Sequence, residues 1–196
     1  MQKFGEPALY NGELYLSRTE ARWGAYFDAA GIPAVHEPQT FCVDIGLAST
    51  SYHLYTPDFV LPEHGNTYVE VKNGPMYMDE VLKAMHLARG VGSGVLLLNG
   101  TPQNMSVYCF SPNTRKPFQC PRGVEGYAAA NADMVFHSNR HLLVGSPQQQ
   151  ELISAIRENI VRADEQQFTR PTQSQLDDYY KQKSLMHARA VQLPRR

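Results

Sequence analysis

The chain has 196 residues, 42% hydrophobic and 19% charged, an ordinary globular mixture long enough to bury a core. Its net charge of -1 divides unevenly: residues 1–100 carry 11 acidic and 6 basic side chains, residues 101–196 carry 8 and 12. This excludes a uniformly basic packaging protein. No apolar run reaches the ~20 residues that span a bilayer, and the start MQKFGEPALY lacks the apolar centre of a signal peptide.

Residues 1–16 read as an irregular lead-in. Ser17-Arg18-Thr19-Glu20 has the form of a capping box and predicts a helix through Ala30, stopped by Gly31 and Pro33. Val35–Glu37 and Phe41–Leu47 are β-prone. Tyr52–Leu61 is a further β-prone run, with Pro57 marking a bend or edge inside it. After a turn at 63–66, Tyr68–Lys72 alternates. Val69 and Val71 are expected on one face, and Tyr68, Glu70 and Lys72 on the other. Asn73-Gly74-Pro75 ends that strand.

Met78–Arg89 has Val81, Leu82, Met85 and Ala88 at helical spacing. Val95–Leu98 fits a strand buried on both faces. Asn99–Pro102 reads as a turn, and Met105–Phe110 as another strand. Residues 111–145 read as loop-rich, with a short strand expected at Leu142–Val144. Gln148–Phe168 predicts a long helix with an apolar stripe of Leu152, Ile153, Ile156, Ile160 and Val161. Gln173–Val191 predicts a second, mostly polar helix, and 193–196 a frayed basic tail. The order predicts a mixed α/β fold: a central mixed β-sheet flanked by helices over 1–145. A C-terminal helical extension over 146–196 is either part of the same domain or appended.

Cys42, Cys109 and Cys120 are too few and scattered for a disulfide framework, so a reducing cytosol is the expected compartment. Cys109, Cys120, His137 and His141 lack the close pair of a zinc site, and buried or surface thiols are expected instead.

The chemistry lies in Tyr55–Lys72. Pro57-Asp58 is followed, after eleven residues, by Glu70-Val71-Lys72. The tract, with its flanks over about residues 17–100, resembles the PD-(D/E)XK nuclease superfamily. The helix, the Tyr-Thr-Pro-Asp-Phe turn and the Tyr-Val-Glu-Val-Lys strand are also similar to the nuclease half of Tn7-type transposition machinery and to small phage-encoded nucleases. The resemblance implies a restriction-endonuclease-like core and DNA as the partner. It further implies phosphodiester hydrolysis that leaves 5′-phosphate and 3′-hydroxyl ends.

The residue types suit that chemistry on their own terms. Asp58 and Glu70 are hard oxygen ligands for Mg²⁺, for which Mn²⁺ is expected to substitute. A metal held there polarises the phosphate and activates water. Glu70 and Lys72 are two apart on a strand, so they share a face, and Lys72 stands beside the metal to orient or help deprotonate the attacking water, or to stabilise charge on phosphorus. The resemblance adds the Val71 carbonyl as a metal ligand and Glu20, on the first helix, as the last member of the acidic cluster, to bind a second metal or hold a metal-bound water. It also points to Lys83 or His86 on the next helix, with Lys83 ranked first for contact with nucleic acid. Glu37, beside His36, is a weaker candidate for the cluster.

Each candidate has a plainer reading. Glu20 fits the capping box, bonding the Ser17 amide; Asp58 fits a turn former; Glu70 and Lys72 fit an exposed charge pair. Arg115, Lys116, Arg122 and Arg140, with Lys181, Lys183, Arg189, Arg195 and Arg196, fit either phosphate contacts or a solvated surface. Tyr179 and Tyr180 fit base stacking or helix packing. Trp23 is expected in the core. The reading is a Mg²⁺-dependent DNA endonuclease. The alternative is a catalytically silent DNA- or protein-binding module, an assembly component of a phage or mobile element. The apolar stripe of 148–168 is the expected surface for a second copy or a partner protein. No membrane partner is expected.

Overall fold

The computed structural model describes residues 5–45, 52–113, 118–119 and 147–193. The lead-in is a hairpin rather than irregular. β1 (Ala8–Tyr10) and β2 (Glu13–Tyr15) pair antiparallel across Asn11 and Gly12, at φ 53° and 83°. Two successive positive-φ residues are what a two-residue hairpin turn demands, and Asn-Gly meets that demand at least cost.

α1 (Arg18–Ala29) starts at Ser17, whose side chain accepts from the Glu20 amide, and Gly31 at φ 64° follows its end. β3 (Val35–His36) comes next, then β4 (Phe41–Asp44) and β5 (Tyr52–Tyr55), paired antiparallel. The single run expected at 52–61 is two strands in two sheets: β5 belongs to one and β6 (Phe59–Leu61) to the other. Pro57 stands between them because it has no N–H to give a ladder. A short turn (Pro62–His64) leads into β7 (Thr67–Lys72), followed by α2 (Met78–Val91) and β8 (Val95–Thr101).

The expected turn at 99–101 is instead the end of β8. Gly100 sits at φ 112°, and a Cβ there would stand 2.0 Å from the Asn104 carbonyl oxygen. Only glycine lets β8 and β9 (Asn104–Phe110) close so tightly, so the chain turns later, at Pro102-Gln103. β10 (Phe118–Gln119), α3 (Pro147–Asp164), α4 (Gln173–Ala188) and β11 (Val191–Gln192) complete the described elements.

The main sheet has six strands in the order β10-β9-β8-β7-β6-β3, and within it β7 and β8 are the parallel pair. The second sheet is β11-β4-β5. The fold is therefore mixed α/β with a C-terminal helical region. Each face of the main sheet has its own core. Val69, Val71, Leu96 and Leu98 face α1 and α3, with Trp23, Phe27, Ile153 and Ile156. Val95, Leu97 and Phe110 face α2 and the small sheet, with Leu87, Val43 and Tyr55. Val95–Leu98 is at most 1% exposed, as a strand covered on both faces must be. Burial of each such side chain contributes about 1.5–3 kcal/mol.

Most of the stripe expected to serve a partner is covered within the chain, while Val161 stays 58% exposed. Ile153, Ile156 and Ile160 of α3 are buried in the core that α1 also lines. Helical structure ends at Asp164 rather than Phe168, whose ring packs on Tyr10 at 5.6 Å. α4 has no buried residue and ends at Ala188. The chain then forms β11, parallel to β4, and Leu193 packs against Gly90 instead of fraying. Arg115, Lys116, Cys120, Arg122, His137, Arg140, His141, the 142–144 strand, Arg195 and Arg196 lie outside the described residues. Among the described residues, no helix is long and apolar enough to cross a membrane.

Candidate active site

β6 and β7 pair as far as Phe59 opposite Val69. Extending that register would set Val71 against Pro57, which lacks an N–H. The Asp58 side chain supplies the acceptor for the Val71 amide, which donates to Asp58 Oδ2 at 2.6 Å. The amide and carbonyl of one strand residue share an edge. The Val71 carbonyl therefore looks into the same gap, where Pro57 offers no donor. The Val71 side chain points the other way, into the core beneath α1.

Glu70 and Lys72 occupy the opposite face. Lys72 Nζ lies 2.6 Å from Glu70 Oε1 and 3.7 Å from Glu80 Oε1, which α2 supplies. The Glu70 side chain is 8% exposed, and its second oxygen, Oε2, is buried with no hydrogen-bond partner. The Tyr55 hydroxyl, from β5, is buried beside it; burial raises the Tyr55 pKa, and the charges of Glu70 and Asp58, with a hydrogen bond toward Glu70, raise it further. An unsatisfied buried oxygen costs about 1–3 kcal/mol, more when charged, so Glu70 Oε2 marks a place where a cation would stabilise the protein.

Glu20 enters from the first turn of α1. Its Oε1 accepts from the Ser17 hydroxyl at 2.7 Å and its Oε2 from the Leu16 amide at 3.2 Å. The cap thus reaches one residue further back than the expected Ser17 amide. The same carboxylate belongs to the acidic group electrostatically. Burial raises its pKa; the Ser17 hydrogen bond and His36 oppose the rise, while Glu70 and Glu37 add to it. Asp58 is pushed well above the usual carboxylate range by burial first, then by Glu70 and Glu20, against the pull of Lys72 and the Val71 amide. Burial alone would lower the Lys72 pKa. Glu70, Asp58 and Glu80 outweigh it and hold the ammonium firmly protonated.

Glu70 and Lys72 are therefore in contact, Asp58 holds the Val71 backbone between them, and Glu20 stands within electrostatic reach of Asp58 and Glu70. Lys83 pairs instead with Asp79 at 3.4 Å. His86 is depressed by burial and by Arg89, with Asp44 opposing, so the charges it meets are not those of the cluster. Cys109 is buried in the core.

Glu37 does border the cluster. It holds φ 42°, unusual for a residue with a side chain, and its amide donates to the Asp58 carbonyl at 2.8 Å. Tyr179 donates to Glu37 Oε1 at 2.6 Å, and Lys183 ion-pairs with the same oxygen. These α4 residues are separated from Glu37 by more than 140 positions, so no local pattern announces the contact. His36 is also drawn in. Its Nδ1 lies 3.1 Å from Glu13 Oε1, and its Nε2 is buried without a partner. A cavity of about 480 Å³ opens alongside, lined by Glu13, His36, Glu37 and Tyr179 among others.

Among the described residues, no three His, Cys, Asp or Glu side chains already converge as a metal-holding group. Asp58 and Glu70 each turn one oxygen to a protein donor, and Glu20 turns both. The donor set still fits Mg²⁺. Asp58, Glu70 and the Val71 carbonyl are hard oxygens at one edge, and Glu70 Oε2 is unengaged. Comparison with protein-family models gives no match, and neither does comparison with curated proteins.

Proposed function

We propose that the chain is a Mg²⁺-dependent DNA endonuclease with a PD-(D/E)XK-like site. The observation that carries this reading is the buried cluster at the β6–β7 edge. It joins Asp58, Glu70 and Lys72 and leaves Glu70 Oε2 without a partner. Asp58, Glu70 and the Val71 carbonyl would hold the metal, which when bound supplies charge neutralisation at the phosphate and a lower pKa for water.

The remaining work falls to the chain itself. The Val71 amide fixes the Asp58 carboxylate, and Glu80 and Glu70 fix the Lys72 ammonium from two sides. Lys72 keeps its proton, so its role is to donate to the attacking water or to a phosphoryl oxygen as negative charge builds. Water attacks phosphorus in line, and the bond to the 3′-oxygen breaks. The product ends, 5′-phosphate and 3′-hydroxyl, follow from the family resemblance.

Incubation of supercoiled plasmid with purified protein tests this. Wild type is expected to nick in Mg²⁺ or Mn²⁺ and not in chelator. Asp58→Ala and Lys72→Ala should each lose about 10²–10³-fold in rate while still binding DNA. Absence of nicking by wild type across both ions and several DNA structures rejects the enzyme. DNA binding retained in that case leaves the silent binding module.

A further inference from the structure

α4 is a polar helix with no buried residue, so burial of apolar surface does not explain its place. It lies beside β2, and its hydrogen-bonded contact with the body of the protein is made at Glu37. Oε1 of that carboxylate accepts from the Tyr179 hydroxyl and pairs with Lys183. The Lys183 ammonium also lies 5.8 Å from the Tyr179 ring centre. The Glu37 and Lys183 side chains are only 10% and 17% exposed.

Glu37 is itself tied to the cluster. Its amide donates to the Asp58 carbonyl, and it keeps a left-handed φ that costs a non-glycine residue free energy. Tyr179 responds to its burial and its Glu37 bond, and also to the charges of Glu20 and Asp58. One residue thus joins the backbone of a candidate metal ligand to a lysine brought from the far end of the chain.

We propose that α4 is the phosphate-gripping arm of the active site. Lys183, held by Glu37 against Tyr179, donates to a DNA phosphate oxygen beside the scissile bond, and Glu37 is the positioning residue that sets the arm's distance from Asp58. The inference rests on the reading of the site as a DNA phosphodiesterase.

Its chemistry follows from charge. The cluster gathers Glu20, Glu37, Asp58, Glu70 and Glu80, and Lys72 is already held between Glu70 and Glu80. A polyanion approaching such a pocket needs a further cation on the opposite wall. The pairing with Glu37 uses one N–H of an ammonium that has three. Lys183 is also ordered in advance, so binding need not immobilise a loose side chain.

The test combines plasmid cleavage in Mg²⁺ with equilibrium binding of a DNA duplex in chelator across a KCl series. Lys183→Gln keeps most of the reach and an N–H donor but drops the charge. It should raise KM about tenfold with kcat little changed, and flatten the slope of log K against log salt by about 0.9, one phosphate contact. Lys183→Arg should restore both. Glu37→Gly tolerates the left-handed φ and removes the side chain with its carboxylate. It should raise KM to a similar degree, and the double variant should be no worse than either single. Wild-type KM and slope in Lys183→Gln would overturn the proposal and leave the contact a simple helix latch. A wild type that binds DNA with a Lys183-dependent slope but never cuts would sink the nuclease reading alone.

Discussion

At Asp58 a single carboxylate stands in for a strand. Pro57 removes the donor that would have met Val71, and Asp58 supplies an acceptor from its side chain. The Pro-Asp pair therefore has a physical meaning beyond its place in a motif: it ends the ladder and leaves a carbonyl and a carboxylate at the same edge. The cost is electrostatic. Asp58 and Glu20 have pKa values raised mainly by burial, so the folded state holds their protons more tightly than the unfolded chain. Their contribution to stability is fully present below the ordinary carboxylate pKa of about 4 and is lost as pH rises toward the folded values. Metal-free protein should therefore melt at lower temperature as pH increases over that window. Asp58→Asn, which cannot ionise, should flatten the fall. Thermal melts in chelator at stepped pH measure this, and equal slopes in the two proteins would refute it.

The elements that carry the site differ in how plainly the sequence declares them. β7 is legible because Val69 and Val71 alternate with Tyr68, Glu70 and Lys72 and each set meets its own core. Hence Asp58, Glu70 and Lys72, which lie close in sequence, could be read together. The run at 52–61 is less legible. Both halves are equally β-prone, and the choice of different sheets is made by distant partners, β4 for one half and β7 for the other. Asn11-Gly12 did carry a local hairpin signal, obscured by the short strands on either side. Glu37, Tyr179 and Lys183 had none, because their meeting depends on where α4 docks. At the start of α1 the Ser17 hydroxyl serves both the helix, by accepting from the Glu20 amide, and the site, by donating to the Glu20 carboxylate. Ser17→Ala should cost about 1 kcal/mol of stability, read by urea denaturation. A loss below a few tenths would mean that Glu20 caps the helix unaided.

Over the whole molecule, the C-terminal region is woven into the rest. α3 completes the core over one face of the main sheet, and β11 adds a strand to the small sheet. Ile156 is 3% exposed, so Ile156→Ala should destabilise the protein by about 2–5 kcal/mol, as for a core position. A loss under 1 kcal/mol in chemical denaturation would instead mean that α3 rests loosely on α1. The uneven charge of the chain also acquires a location. The acids that gather at the site all come from the first half of the sequence, and Lys183 is brought to them from the second.

Trp23 is the only tryptophan of the chain and is wholly buried, its indole N–H donating to the Gly100 carbonyl at 2.9 Å. Gly100 follows Asn99, the register partner of Lys72 on β7. Tryptophan fluorescence of this protein, excited apart from its tyrosines, therefore originates at one seam, between the helix that bears Glu20 and the strand next to the one that bears Lys72. The molecule carries its own optical reporter. A dry, hydrogen-bonded indole emits toward the blue, and the emission moves to the red when water enters that seam, so opening beside the acidic cluster can be followed without a label.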